Sequence, residues 1–174
     1  MKTKTVLRII FLSATVLLLV FVFIMSAKPA EKSAEISLSV DYRLCRLLRP
    51  GFDKLTEEEQ LRCAAEIDHF VRKSAHFAEF TALGALFCAD FLLLDLKRYQ
   101  CVIFAFLLGA AAAAADEIHQ LFVPGRAFAF TDILIDSAGV LTGCLFALLI
   151  YVIILRQKKK NTKSCLKARK RTGR

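Results

Sequence analysis

The chain has 174 residues, 56% of them hydrophobic, and a formal net charge of +9. A single soluble domain of that composition lacks the polar residues to cover its own surface, so the composition points to a membrane protein. Ten of the 25 basic residues fall between Arg156 and Arg174, with no acid and no aromatic residue among them. Without a stacking platform this tail is not read as a nucleic-acid arm, but as attraction to anionic lipid headgroups.

In chain order, the first element is the apolar run from Val6 to Met25, preceded by Lys2 and Lys4 and interrupted by Arg8. About twenty such residues cross a bilayer. A cleaved signal peptide is the rival, because Met25-Ser26-Ala27 ends in small residues, but the run exceeds the usual ~7–15 residues of a signal core, so a retained anchor over 1–26 is expected. From 27 to 73 the composition turns polar, with nine basic and nine acidic residues, and Pro29, Pro50 and Gly51 punctuate it. Thr56-Glu57-Glu58-Glu59 reads as a capping box, opening a helix whose Leu61, Ala64, Ile67, Phe70 and Val71 recur at helical spacing. That helix is expected to lie on the membrane surface. Cys45 and Cys63 share this segment; a disulfide and two free thiols both remain open.

Three more apolar stretches follow, at 74–94, 99–120 and 132–155. Their apolar residues run on without alternation, and a barrel cannot close from so few segments, so helices are expected. The predicted fold is therefore all-α: a polytopic four-transmembrane-helix bundle with an extracytoplasmic segment after the first helix, a three-helix core over 74–155 and a basic cytoplasmic tail over 156–174. Lys and Arg number three at the start of the chain (Lys2, Lys4 and Arg8), two between the second and third spans, and ten in the tail, against nine and one on the other side. The richer side is expected to be cytoplasmic, placing both termini inside. Cys88, Cys101 and Cys144 read as small apolar side chains, and no Cys-x-x-Cys pair suggests zinc or redox chemistry.

With that topology, a rise of ~1.5 Å per residue puts the costly side chains at one depth, near the outer surface. Arg72, Lys73, His76 and Glu79 open the second span; Asp116, Glu117, His119 and Gln120 end the third; Arg126 sits in the linking turn; Asp132 and Asp136 open the fourth. Ionisable groups at such depth face a bundle interior, pair with one another and mark sites. Val123-Pro124-Gly125-Arg126 suits a type II turn with Gly125 at positive φ, flanked by Leu121, Phe122, Phe128 and Phe130, which are expected to dip into the interface. Gly139-x-x-x-Gly143 and the alanines from Ala111 to Ala115 offer smooth packing surfaces. Blander readings stand beside these. Arg72 and Lys73 serve as headgroup anchors, Arg126 as an ion-pair partner of Asp132 or Asp116, and the histidines as interhelical hydrogen-bond partners; His69 is read as solvated. Asp90 and Asp95 are expected to pair with Lys97 or Arg98 at the inner end.

The run from Arg72 to Phe80, then Asp116 to Arg126, then Asp132 and Gly139, resembles the VanZ-like family, over about residues 70 to 150. The family's motif positions match at Lys73, His76, Glu79, Glu117, Gln120, Pro124, Gly125, Arg126 and Asp132; where the family commonly has asparagine, this chain has Asp136. The resemblance implies a multi-pass protein of a bacterial plasma membrane, with relatives that raise tolerance to glycopeptides such as teicoplanin, and no known reaction. Three functions are weighed. The first is an envelope protein without assigned catalysis, whose outer polar cluster engages a lipid headgroup, a cell-wall precursor or the antibiotic. The second is an intramembrane enzyme with a Glu or His as general acid or base, for which Ser74 is the only nearby hydroxyl. The third is a structural partner in a membrane complex. No metal or other cofactor and no nucleic acid is expected.

Overall fold

Four helices in the computed structural model are long and apolar enough to cross a membrane, Lys4–Ser26, Glu57–Leu92, Arg98–Gln120 and Phe130–Ser164. The structure describes residues 2–94 and 96–172. Among them the elements are α1 (Lys2–Ser26), α2 (Ala30–Leu48), a short 3-10 turn (Phe52–Lys54), α3 (Glu57–Leu92), α4 (Arg98–Gln120) and α5 (Phe130–Thr172), with no strand.

α1 buries only a narrow stripe, in which Thr15, Val22 and Ser26 are covered while Leu17, Ile9 and Ile24 stand exposed. That is the pattern of a helix with one face on a bundle and the rest toward lipid. Arg8, costly in an apolar run, is satisfied locally. Its guanidinium donates to the Leu93 carbonyl from Nε and Nη2, at 3.1 and 2.5 Å, and so caps the C-terminal end of α3.

Pro29 starts α2, Ser33 N donating to the Pro29 carbonyl at 3.0 Å, and the turn at Gly51 (φ +88) reverses the chain between α2 and α3. Thr56 then opens α3 through the expected capping box. The Glu59 N–H reaches the Thr56 hydroxyl at 3.4 Å, and the Glu59 carboxylate accepts from the Thr56 N–H at 2.9 Å.

The surface-lying helix expected after Thr56 is not separate from the second span. α3 is one helix of 36 residues, ~54 Å at 1.5 Å per residue, against ~30 Å of hydrocarbon. The reason is local, since no Pro or Gly interrupts the chain between Gly51 and Gly84, and the pairs Arg62–Glu58 and Arg72–Asp68 brace adjoining turns at 2.6 Å each. The first turns of α3 extend beyond the span, and α2 packs antiparallel on them. Cys45, Phe52 and Cys63 form a small core there with Tyr42, Leu55 and Ile67. Both thiols are free, and the Arg49 guanidinium donates to Cys63 Sγ at 2.5 Å.

Within this hairpin Asp41 is 1% exposed and its Oδ1 has no partner. Burial and the neighbouring Asp68 carboxylate push its pKa above the ordinary 3.8, with the Ser37 hydroxyl and Arg72 opposing. A carboxyl whose folded pKa is raised contributes stability that is complete below its unfolded pKa and lost as pH rises through the folded one. Asp41→Asn is therefore expected to protect α2 amides from hydrogen exchange more than wild type at pH 7, the advantage shrinking toward pH 4; greater exchange in the variant at pH 7 would contradict this.

The bundle centres on the crossing of α3 and α5. A Cβ on Gly143 would strike the backbone of Thr81 and Ala85, one on Gly84 the backbone of Val140, and one on Gly139 the Phe77 carbonyl. Only glycine permits this approach, which allows dispersion contacts along both backbones. Cys144 donates to the Gly84 carbonyl at 3.4 Å across the same contact. α4 closes the third side with Cys101, Ala105 and Ala113 fully covered. Asp90 does not pair with Lys97 or Arg98. It accepts from the Thr15 hydroxyl of α1 at 2.8 Å, while Arg98 lies 6.0 Å above the Tyr151 ring. Asp95 lies outside the described residues.

Candidate functional site

The middle of α3, the end of α4, the start of α5 and one loop meet beside α2. α3 supplies Arg72, Lys73 and His76, α4 ends in Glu117 and Gln120, and α5 opens with Asp132 and Asp136; all seven line one cleft of about 200 Å³ together with Arg126 and His69. The loop from 121 to 129 is held from both sides. Arg126 N donates to the Val123 carbonyl at 3.1 Å across a tight turn in which Gly125 takes φ +74. Ala30 N donates to the Pro124 carbonyl at 3.2 Å, tying the turn to the start of α2, and the Ala129 N–H donates to Glu117 Oε1 at 2.6 Å. Glu117, 2% exposed, is thereby engaged as a structural acceptor. The side chains Leu121, Phe122, Phe128 and Phe130 on this connection are exposed, Phe122 at 82%.

Two of the cations are paired with carboxylates. Lys73 Nζ sits 2.5 Å from Asp132 Oδ1, bridging α3 to α5, and Arg72 pairs with Asp68 of its own helix. Asp116, 1% exposed, accepts at Oδ2 from the Ser26 hydroxyl of α1 at 2.8 Å and from the Gln120 amide at 2.9 Å, leaving Oδ1 unpartnered. His76 Nδ1 is buried without a hydrogen bond, 3.8 Å from Glu79 Oε2.

Arg126 is different. Among the described residues it has no carboxylate partner: its Nη2 donates to the neutral Ser33 hydroxyl at 3.1 Å, and its buried Nε donates to nothing. Burial and the Arg72 guanidinium oppose its charge, while Asp116 and Glu117 support it from a distance. A guanidinium stays protonated under such stress, so the site holds a partly desolvated cation with free donors.

The structure thus brings Lys73, His76, Glu117, Gln120, Arg126, Asp132 and Asp136 to one cavity, with Gly125 on its wall. Glu79 lines the adjoining cavity instead. His119 does not join them; it turns toward α1, where its ring packs on Phe23 at 5.6 Å between centroids. The ion pair weighed for Arg126 with Asp132 or Asp116 is absent, Asp132 being taken by Lys73 and Asp116 by Ser26 and Gln120. Ser74 is exposed and off the cleft wall, so the hydroxyl weighed as a nucleophile is not placed for that role. Sequence reasoning left out Ser26 and Ser33, small hydroxyls on elements it did not connect to the site. It also set aside His69, which is exposed yet lines the cleft. Among the described residues no group of three His, Cys, Asp or Glu side chains is arranged to hold a metal ion.

Fold and site define a four-span helical membrane bundle with a charged cleft where α4 ends and α5 begins against the middle of α3. The VanZ/LLP1 family model matches residues 11–155, from within α1 into α5, and the chain belongs to that family. The match takes in the first span and the α2 hairpin, which the motif resemblance over 70–150 did not cover. No curated protein and no solved structure matches the chain.

Proposed function

We propose that this VanZ/LLP1-family membrane protein works in a bacterial plasma membrane with its cleft facing outward, holds an anionic group such as a lipid headgroup or cell-wall precursor there, and so contributes to tolerance of glycopeptides such as teicoplanin. The observation that carries the reading is Arg126, a half-buried guanidinium whose nearest partner is an uncharged hydroxyl. A charge left so poorly compensated in a native site is suited to an incoming anion, and arginine's planar fork matches two oxygens of a phosphate or carboxylate. Lys73, neutralised by Asp132 on the opposite wall, sets the width of the cleft rather than meeting the ligand first.

The outward orientation rests on the charge asymmetry. α1 begins and α5 runs on at the end of the bundle away from the cleft, the end at which the basic run of the sequence starts with Arg156. Two experiments test the proposal. In a background without the native cysteines, single thiols at Phe122 and Phe128 are expected to react with a membrane-impermeant maleimide in intact cells; reaction only after lysis rejects the orientation. A one-at-a-time replacement of the cleft residues, scored for teicoplanin tolerance and for protein level in the membrane, is expected to separate Arg126 from Glu117. The first loses tolerance at a normal level and the second loses both. A scan in which tolerance follows protein level at every position rejects a binding role.

A further inference from the structure

Arg126 lines two cavities. The charged cleft of about 200 Å³ adjoins a second of about 240 Å³, and Arg72, His76 and Arg126 belong to the walls of both. Beyond that shared wall the chemistry changes. The surface of the second compartment is mostly apolar, supplied by Met25 at the end of α1, Ile36 and Val40 on α2, and Val71 and Ala75 on α3, with Ser33, Ser37 and Glu79 as its further polar members. Neither compartment reaches the ~300–1,000 Å³ of a usual ligand pocket, whereas the two joined do.

We infer that the two compartments form one site for an alkyl-chain phosphate, with the phosphate on Arg126 in the charged compartment and the hydrocarbon chain among Met25, Ile36, Val40, Val71 and Ala75. The inference rests on the reading of Arg126 as the anion-holding group and adds the chain. A tetrahedral phosphate offers more oxygens than a carboxylate, and the unpartnered polar atoms here stand on different elements. Arg126 Nε has no partner, and His76 Nδ1, also buried and unpartnered, stands on α3 at the boundary of the two compartments. A free phosphate ion would use the donors but leave the apolar walls to water. An attached chain covers them, and each buried methylene strengthens binding by roughly four-fold. Ser33 marks the junction, its hydroxyl on Arg126 and its helix carrying Ile36 and Val40 one and two turns onward.

The test is isothermal titration of the full chain in phosphatidylcholine nanodiscs, with empty nanodiscs subtracted, using inorganic phosphate, butyl phosphate, decyl phosphate and decyl glucoside. Decyl phosphate is expected to bind at least about ten-fold more tightly than butyl phosphate, inorganic phosphate more weakly still, and decyl glucoside not measurably. Val40→Phe and Ala75→Phe, which fill the apolar compartment, are each expected to erase the advantage of the decyl chain while leaving inorganic phosphate unchanged. Arg126→Ala is expected to remove both phosphates. If inorganic, butyl and decyl phosphate bind alike and all need Arg126, the chain compartment is overturned while the anion site stands. If decyl glucoside matches decyl phosphate, or Arg126→Ala changes nothing, the anion site falls with it.

Discussion

Arg126→Ala is expected to reduce teicoplanin tolerance to the level of cells lacking the protein while leaving its amount in the membrane unchanged. The two halves of that expectation have separate physical grounds. Within the protein the guanidinium makes a single hydrogen bond, to Ser33, so its removal costs the fold little and even relieves a half-buried charge. Toward an anion it supplies charge-assisted donors in a site where water is partly excluded, and losing such a bond is worth about 1.5–3 kcal/mol, roughly 10- to 150-fold in affinity. Arg126→Lys keeps the charge but not the fork and is expected to fall between, whereas Ser33→Ala, which removes only a neutral partner, is expected to stay near wild type. Minimum inhibitory concentrations, read beside an immunoblot of the membrane fraction, decide it; tolerance unchanged in the alanine variant, at normal protein level, counts against the site.

Gly143→Leu is expected to do the reverse, abolishing accumulation of the folded protein and every activity with it. The obstacle is backbone rather than a movable side chain, since the new Cβ would overlap the Thr81 carbonyl and stand 2.7 Å from Ala85 N. α3 and α5 would have to separate, losing the dispersion contacts that hold helices together in lipid, where burial of apolar surface provides no drive. Overpacking of ordinary cores costs ~1–3 kcal/mol, and here at least the upper part of that range is expected. Thermal aggregation in mild detergent measures it. A Gly143→Leu protein that melts with wild type would mean that the two helices do not cross as closely as described. Gly51→Ala provides the contrast: a Cβ there meets nothing within 4 Å, and the only penalty is the left-handed φ of +88, about 1 kcal/mol.

What could be read from the sequence follows from which forces are local. Span lengths follow from hydrophobic thickness, the start of α3 from the Thr56 capping box, and the positive φ of Gly125 from its place after Pro124. All of these depend on a few neighbouring residues. That residues of α3, α4 and α5 meet at one level of the bundle was also legible, because level is a count of residues along each helix. Rotation about the helix axis was not. His119 shares a turn with Asp116 and Gln120, and only the Phe23 ring of α1, nearly a hundred positions away, decides that it faces elsewhere. Likewise nothing near Asp132 reveals that Lys73 claims it before Arg126 does. α2 escaped notice for a more instructive reason. Its buried positions are Ser37, Asp41 and Cys45, while Ile36, Val40, Leu47 and Leu48 are exposed. The usual rule of apolar side chains inward is partly inverted there, so the helical periodicity that the segment does carry points to the wrong face. The same inversion turns Ile36 and Val40 toward the second compartment instead of into a hairpin core.

A helix with a mostly greasy surface has little reason to stay beside its neighbours in a fluid bilayer, where lipid tails solvate it equally well. α1 stays because it is pegged at three heights, by Arg8 on the Leu93 carbonyl, Thr15 on Asp90 and Ser26 on Asp116. The outermost pegs stand ~27 Å apart along the axis, close to the full hydrocarbon depth. Pulling α1 sideways would strand two carboxylates and a carbonyl in oil at once, so the helix that looks most like a disposable anchor is bound to the assembly by the groups least able to tolerate its departure.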